Sequence, residues 1–279
     1  MSWLDNRKCA GWLAAGITCA HWACNCTVFE IPGVDGTNIA PDYMHNMFLG
    51  WLQYLYGSIM YMLVFVVMSG SHEDNLKQIA AFVKKYQNDK GTIHKHRPRL
   101  DKLSMFKKKD LPRLRGRAAD VMGLCDTMLA LRKEHMTEAL LQHRQVRLML
   151  TLNKQIADTL EQYHPRNGYM AVPTDPSKEL LSWGMSMAQV HSQLLEHYKT
   201  EGVHKVFNLT SKTHFALHSL QLSGYIHPAL IWCFKGEATM RSLGRVWKSC
   251  LDGSKHFDVS ARASYKLIHL VHLRNAKGG

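Results

Sequence analysis

The sequence predicts a mainly α protein, a large helical region with a few short strands, and three observations carry that expectation. Apolar residues recur at spacings of three and four over long stretches beyond residue 70, the period of one helix face. Met47 to Met68, 22 residues, contains no charged side chain and reads as a helix apolar on every side. The strand-like runs, Thr27 to Ile31 and Thr37 to Ala40, are short and lie among turn signals at Pro32-Gly33 and Asp35-Gly36. With 46% hydrophobic and 20% charged residues in 279, the composition is that of a globular chain with a real core.

The uncharged stretch is long enough to cross a bilayer. Gln53, Tyr54, Tyr56, Gly57, Ser58 and Tyr61 interrupt it, and no Lys or Arg cluster flanks it closely, so a buried core helix is preferred to a membrane span. Ser71 then precedes His72-Glu73-Asp74 as an N-cap with acids in the first turn, and Leu76, Ile79, Ala80, Val83 and Tyr86 continue a helix toward Gly91. Residues 91 to 112, with Pro98, Pro112 and many cations, predict an exposed loop. Leu114, Ala118, Val121, Met122, Cys125, Met128, Leu129 and Arg132 predict one face of a helix over 114–134. Thr137-Glu138 is expected to open the next, through Leu141, Leu148, Leu152, Ile156 and Leu160, with His164-Pro165-Arg166-Asn167-Gly168 as its stop. Thr174-Asp175-Pro176 starts a helix that runs to about Thr200, and shorter helices are expected near 211–223, 237–251 and 260–274. The segments group as 1–70, then 71–205 with a basic loop at 90–117, then 206–279.

Charge is unevenly placed. The chain carries 35 Lys and Arg against 22 Asp and Glu, a net +13. Between Lys77 and Arg117 stand fourteen cations and three acids, Asp89, Asp101 and Asp110, so +11 of that excess lies in one segment. Cations on a loop displace counterions from phosphates without reading bases, which makes DNA the expected partner. The plainer alternatives are a solvated linker or a nuclear-import signal at Phe106-Lys107-Lys108-Lys109, and the expected location is intracellular and nuclear. Self-association is left open.

Seven cysteines, an odd number thinly spread in a chain of this size, read as reduced thiols. The moderately apolar run Ala10 to Ala23 lacks a clean small-residue cleavage site, so no secretory signal is expected. Cys19, His21, Cys24 and Cys26 crowd four soft ligands into eight residues, but the spacing matches no standard zinc pair and zinc is not expected. His214 and His218, at i and i+4, lack the Glu and third ligand of a zinc-hydrolase motif. No nucleophile motif, phosphate loop or dinucleotide fingerprint occurs, and no small-molecule substrate is indicated.

Two carboxylates stand where a metal could meet them: Asp42, after a short extended run and before the apolar helix, and Glu237, at the start of a predicted helix. Spacing alone makes both helix-capping acids. The surrounding blocks add to this. Asp42-Tyr43-Met44-His45 with Leu49-Gly50, then Leu209-Thr210-Ser211-Lys212-Thr213-His214 running to His218, then Trp232-Cys233-Phe234-Lys235-Gly236-Glu237, fall in the order of the blocks of CACTA-like DDE transposases, which the chain resembles over most of residues 27 to 273. Leu114-Arg115-Gly116-Arg117 resembles a basic block of the same transposon-derived proteins, whereas Ser211 stands where that family usually has Pro.

The resemblance implies an RNase H-like α/β core, incomplete here, with a long helical insertion between its second Asp and its Glu. It makes Asp42 and Glu237 ligands of paired Mg²⁺ ions that would drive in-line attack on a phosphodiester. His45, His214 and His218 become supporting residues. Lys107, Lys108, Lys109, Arg113, Arg115, Arg117 and Lys212 become candidate DNA contacts. The family's first Asp has no counterpart: Asp5 has no strand-like run behind it and Asp35 lies in a turn. The expectation is therefore an inactive remnant or truncated reading frame that associates with nucleic acid. The rival is a helical scaffold whose basic loop merely touches it.

Overall fold

The computed structural model of the chain describes residues 41–91, 100, 102–108, 111–202, 206–233 and the single positions 248 and 264. The chain divides into two compact units, Met1–Trp232 and Cys233–Gly279. Nearly all the described residues belong to the first unit; in the second, Cys233 is described, and Lys248 and Ser264 are helical.

Helices hold 74% of the described residues and strands 1%, so the mainly α expectation holds and the sheet of an RNase H-like core is not among these residues. The expected strands Thr27 to Ile31 and Thr37 to Ala40 lie outside the described residues, as do most of the helices expected at 237–251 and 260–274. The strand pairing that is described is two residues long, β1 (Lys107–Lys108) antiparallel to β2 (Leu111–Pro112), inside the segment expected to be loop.

The organising element is α1 (Met44–Val67). Its middle, Leu52–Met62, is α-helical, and its two ends, Met44–Trp51 and Leu63–Val67, are π-wound. By length and composition α1 could cross a membrane, yet 72% of its apolar window is buried against the rest of the chain. Leu55, Tyr56, Ile59, Met60 and Leu63 are wholly buried. The polar atoms that interrupt the stretch are met by other elements. Asn153 donates to the Tyr56 hydroxyl at 2.9 Å, and the Trp51 indole donates to His191 Nδ1 at 2.8 Å. Ser58 Oγ accepts from the Phe207 N–H at 2.7 Å. Phe207 is held there at φ 55, a left-handed conformation uncommon for a bulky residue, and its ring stacks on Tyr198. Gly57 is required by close approach: a Cβ there would lie 2.7 Å from the backbone of Arg113 and Leu114.

Around α1 the chain lays down α2 (His72–Asp89), α3 (Ala118–Met122), α4 (Cys125–His135), α5 (Leu141–Gln162), α6 (Thr174–Thr200) and α7 (Ser211–Gln221). Ser71 caps α2 as expected, accepting from the Asp74 N–H. Asn75, on the first turn of α2, donates to the carbonyls of Val64, Met68 and Gly70 and so closes the C-terminal end of α1. The helix α5 packs on α4 and α6, and α6 packs on α7, which in turn lies across the first turns of α1.

Three local expectations are corrected. The helix over 114–134 is two helices, broken at Gly123 and Leu124, and Met122 is exposed. The helix expected from Thr137 starts at Leu141, because the buried Arg132 guanidinium draws Glu138 into an ion pair and donates to the His143 carbonyl, which fixes residues 137–140 as a turn. The expected Leu152, Ile156 and Leu160 are buried on α5 together with His143, Val146, Met149, Leu150 and Asn153, while Leu141 and Leu148 are exposed.

Burial holds His191 neutral, its pKa lowered to about 3, and lowers that of His227, which donates to the Leu160 carbonyl, to about 4. Both folded values lie below the ordinary imidazole value of about 6.5, so the unfolded chain binds the protons first. Stability is therefore full above about pH 6.5 and falls as the pH drops toward these folded values. Denaturant titrations from neutral pH downward should show His191 contributing a loss of up to about 1.4 kcal/mol per pH unit. The slope should flatten in His191→Gln, whose amide oxygen can still accept from Trp51; parallel profiles for the two proteins would exclude His191 as the source.

Candidate nucleic-acid interface

The corner where α7 crosses the start of α1 gathers most of the sequence-predicted site. Asp42 stands just before α1. One carboxylate oxygen accepts from the Met44 N–H at 3.0 Å and reaches the His45 N–H at 3.5 Å, and the other meets His45 Nδ1 at 2.6 Å. This is the capping geometry that spacing alone favoured for Asp42, with His45 as its side-chain partner. The two residues are half-buried. Residue 41 is tied to α7, since Ser219 Oγ donates to the Pro41 carbonyl at 3.4 Å.

Lys212 lies in the first turn of α7 and reaches back to α1. Its ammonium donates to the Leu49 carbonyl at 3.3 Å. Its stem covers Gly50, where a Cβ would stand 2.7 Å from Lys212 Cβ and 2.8 Å from Cδ. Gly50 is thus the gap through which one helix receives the other's lysine. Burial lowers the Lys212 pKa first, the neighbouring Arg113 charge lowers it further, and Asp42 acts in the opposite sense.

One turn along α1 from Leu49, Gln53 Oε1 accepts from Arg113 Nε at 2.8 Å, and the Arg113 guanidinium lies 5.6 Å from the centre of the Tyr54 ring. The Gln53 carbonyl accepts from the Leu114 N–H at 2.8 Å, so the basic segment is fastened to α1 by main chain as well. Farther along α7, His214 and His218 face one another with their Nε2 atoms 3.0 Å apart. His218 Nδ1 faces Gln221 Oε1 at 3.3 Å, and the amide oxygen can only accept. With both rings neutral, His218 Nε2 then accepts and His214 donates. Burial lowers the His214 pKa first and the His218 ring lowers it further.

The remaining predicted residues separate. Arg117 is committed to Asp120, with Nε at 3.0 Å and Nη2 at 2.7 Å, and fixes the start of α3. Arg115 is exposed. Lys107 and Lys108 form β1, whereas Lys109 and Glu237 lie outside the described residues, as do Cys19, His21, Cys24 and Cys26. Sequence reasoning missed Gln53, Tyr54 and the Leu49 carbonyl as organisers of the cations. The one visible signal was Gly50, a small residue in a run of large ones.

Mg²⁺ takes near-octahedral oxygen ligands. Of the two carboxylates that the resemblance implies, the described residues supply Asp42, whose two oxygens are already engaged with its own helix and with His45. The described residues thus hold one member of the implied set, hydrogen-bonded within its own turn, while Glu237 lies outside them. Cys125 is a buried free thiol whose pKa burial raises to about 11, which leaves it protonated. A cavity of about 280 Å³ is lined by Tyr43, Phe48, Leu52, Ile156, Leu160 and Trp232, and its wall residues His227 and Asn153 spend hydrogen bonds on the Leu160 carbonyl and the Tyr56 hydroxyl.

Gly50→Ala should separate the two helices at this corner, because the atom in the way is a lysine Cβ and not the free end of its chain. An overpacking loss of about 1–3 kcal/mol is expected by denaturant titration, with Lys212→Gly in the same chain, which removes that Cβ, restoring part of it; an unchanged midpoint would mean that α7 is not seated on Gly50. Comparison with known proteins found no matching family model, no matching curated protein and no matching solved structure.

Proposed function

We propose that this chain is a transposase-derived, nucleic-acid-associated helical protein that does not cleave DNA by itself. One observation carries the reading: the blocks at 42–50 and 209–218, which the sequence separates by more than 150 residues and which the transposase resemblance pairs around one centre, pack directly together through Lys212, Gly50 and Leu49. That contact is what the resemblance expects of these two blocks, and it is the support the reading has. The cations Arg113 and Lys212 stand at that same corner, and Arg115 is exposed close by in sequence. The reading of no independent cleavage rests on the sequence, where neither Asp5 nor Asp35 offers a strand-borne counterpart of the first Asp that the resemblance requires.

The test is fluorescence anisotropy of the untagged chain on a duplex of about 30 base pairs, between about 50 and 200 mM salt. Binding that weakens with a log–log slope of about −3 to −6 is expected, equivalent to roughly three to seven neutralised phosphates. No binding at the low-salt end, or binding indifferent to salt, would reject the nucleic-acid reading. Incubation with supercoiled DNA and Mg²⁺ or Mn²⁺ is expected to give no nicking; nicking that disappears in Asp42→Asn would reject the inactive part.

A further inference from the structure

We propose that Arg113 and Lys212 form a two-cation clamp that holds one backbone phosphate of a nucleic acid, a site that rests on the nucleic-acid reading above and names its ligand. Leu49 and Gln53 are one helical turn apart on α1, and each holds one of the two cations. Cβ atoms at that spacing lie about 5–6 Å apart, which puts the two anchors on neighbouring turns of one face, and a phosphate can bridge two cations with two of its oxygens. The α1 groups take only part of each cation's donors. Arg113 spends Nε on Gln53 and keeps both Nη groups, the fork that meets phosphate with two parallel bonds. Lys212 spends one N–H on Leu49 and keeps two.

Neither cation has a carboxylate within ion-pair distance among the described residues, in contrast to Arg117, which is paired with Asp120. The Lys212 charge is disfavoured first by burial and then by Arg113, with Asp42 offsetting part of this, so a phosphodiester between the two cations would relieve the repulsion between them. The stem of Lys212 is fixed by Gly50 and the guanidinium of Arg113 by the Tyr54 ring, which limits the side-chain entropy lost on binding. An acidic peptide carries carboxylates that could also bridge the pair. The further cations of the same basic segment suit a polymer with a regular row of charges, and nucleic acid is the stronger match.

The experiment uses the full chain, with Lys212→Met, Arg113→Gln, the double variant and Arg115→Gln, each checked by circular dichroism. Lys212→Met keeps the stem over Gly50 and removes the charge. Each clamp variant is expected to weaken duplex binding about fivefold or more and to make the salt slope shallower by about 1. The double variant should be little weaker than either single one, because one phosphate is lost in all three. Arg115→Gln combined with Lys212→Met should instead be additive.

Duplex affinity and slope unchanged in Lys212→Met would overturn the clamp while leaving the nucleic-acid reading intact. If the wild-type chain binds no duplex, that reading fails, and the clamp is judged by inorganic pyrophosphate at constant ionic strength. A rise in the wild-type melting temperature that Lys212→Met abolishes keeps the site, and no rise removes it. Poly-glutamate that binds as tightly as DNA through the same two residues would overturn the phosphate assignment. Should Arg113→Gln fail to fold, Lys212→Met alone decides each arm.

Discussion

The constraint on which the rest of this structure depends is the burial of α1. An apolar helix can be hidden almost anywhere, but Tyr56, Ser58, Gln53 and Trp51 bring polar atoms into the core, and each costs free energy unless it is met. Their partners are Asn153, the Phe207 N–H, Arg113 and His191, drawn from α5, the approach to α7, the basic segment and α6. Hydrophobic contact alone would tolerate several rotations of those elements about α1. The directional bonds select one arrangement.

The candidate site is a product of the same selection. Arg113 is held beside α1 because Gln53 is buried and needs a donor to its amide oxygen, and because Gly57 lets the main chain at 113 and 114 come close. Lys212 is held because Gly50 admits its stem and the π-wound first turns of α1 leave the Leu49 carbonyl within reach. The cations are therefore positioned by core polar chemistry, not by one another, which is what allows two like charges to stay adjacent.

Much of the fold was legible in the sequence because periodicity and caps are local. Ser71, Pro176 and the stop at His164 to Gly168 set helix ends close to where the chain places them. The turn at 137–140 was not legible, since it depends on Glu138 finding a buried Arg132. The face of α5 was legible at Leu152, Ile156 and Leu160 but not at Leu141 and Leu148, which are exposed, or at the buried Asn153. For the site, the sequence named Asp42, His45, Arg113, Lys212, His214 and His218 but could not show that Arg117 is taken by Asp120, or that Gln53 would be an anchor. Gln53 and Arg113 stand 60 positions apart and Leu49 and Lys212 stand 163 apart, and pairing at such separations leaves no local trace.

The Ser58–Phe207 bond links positions 149 residues apart, and Trp51–His191 links positions 140 apart. On a ribosome adding about 5–20 residues per second, α1 leaves the exit tunnel roughly 7–30 s before these partners do. Through that interval the most apolar helix of the chain stands uncovered with its hydroxyls and indole unmet. Synthesis of this protein thus has a built-in window in which chaperones, and the machinery that inserts membrane segments, compete for a helix whose final place is the core.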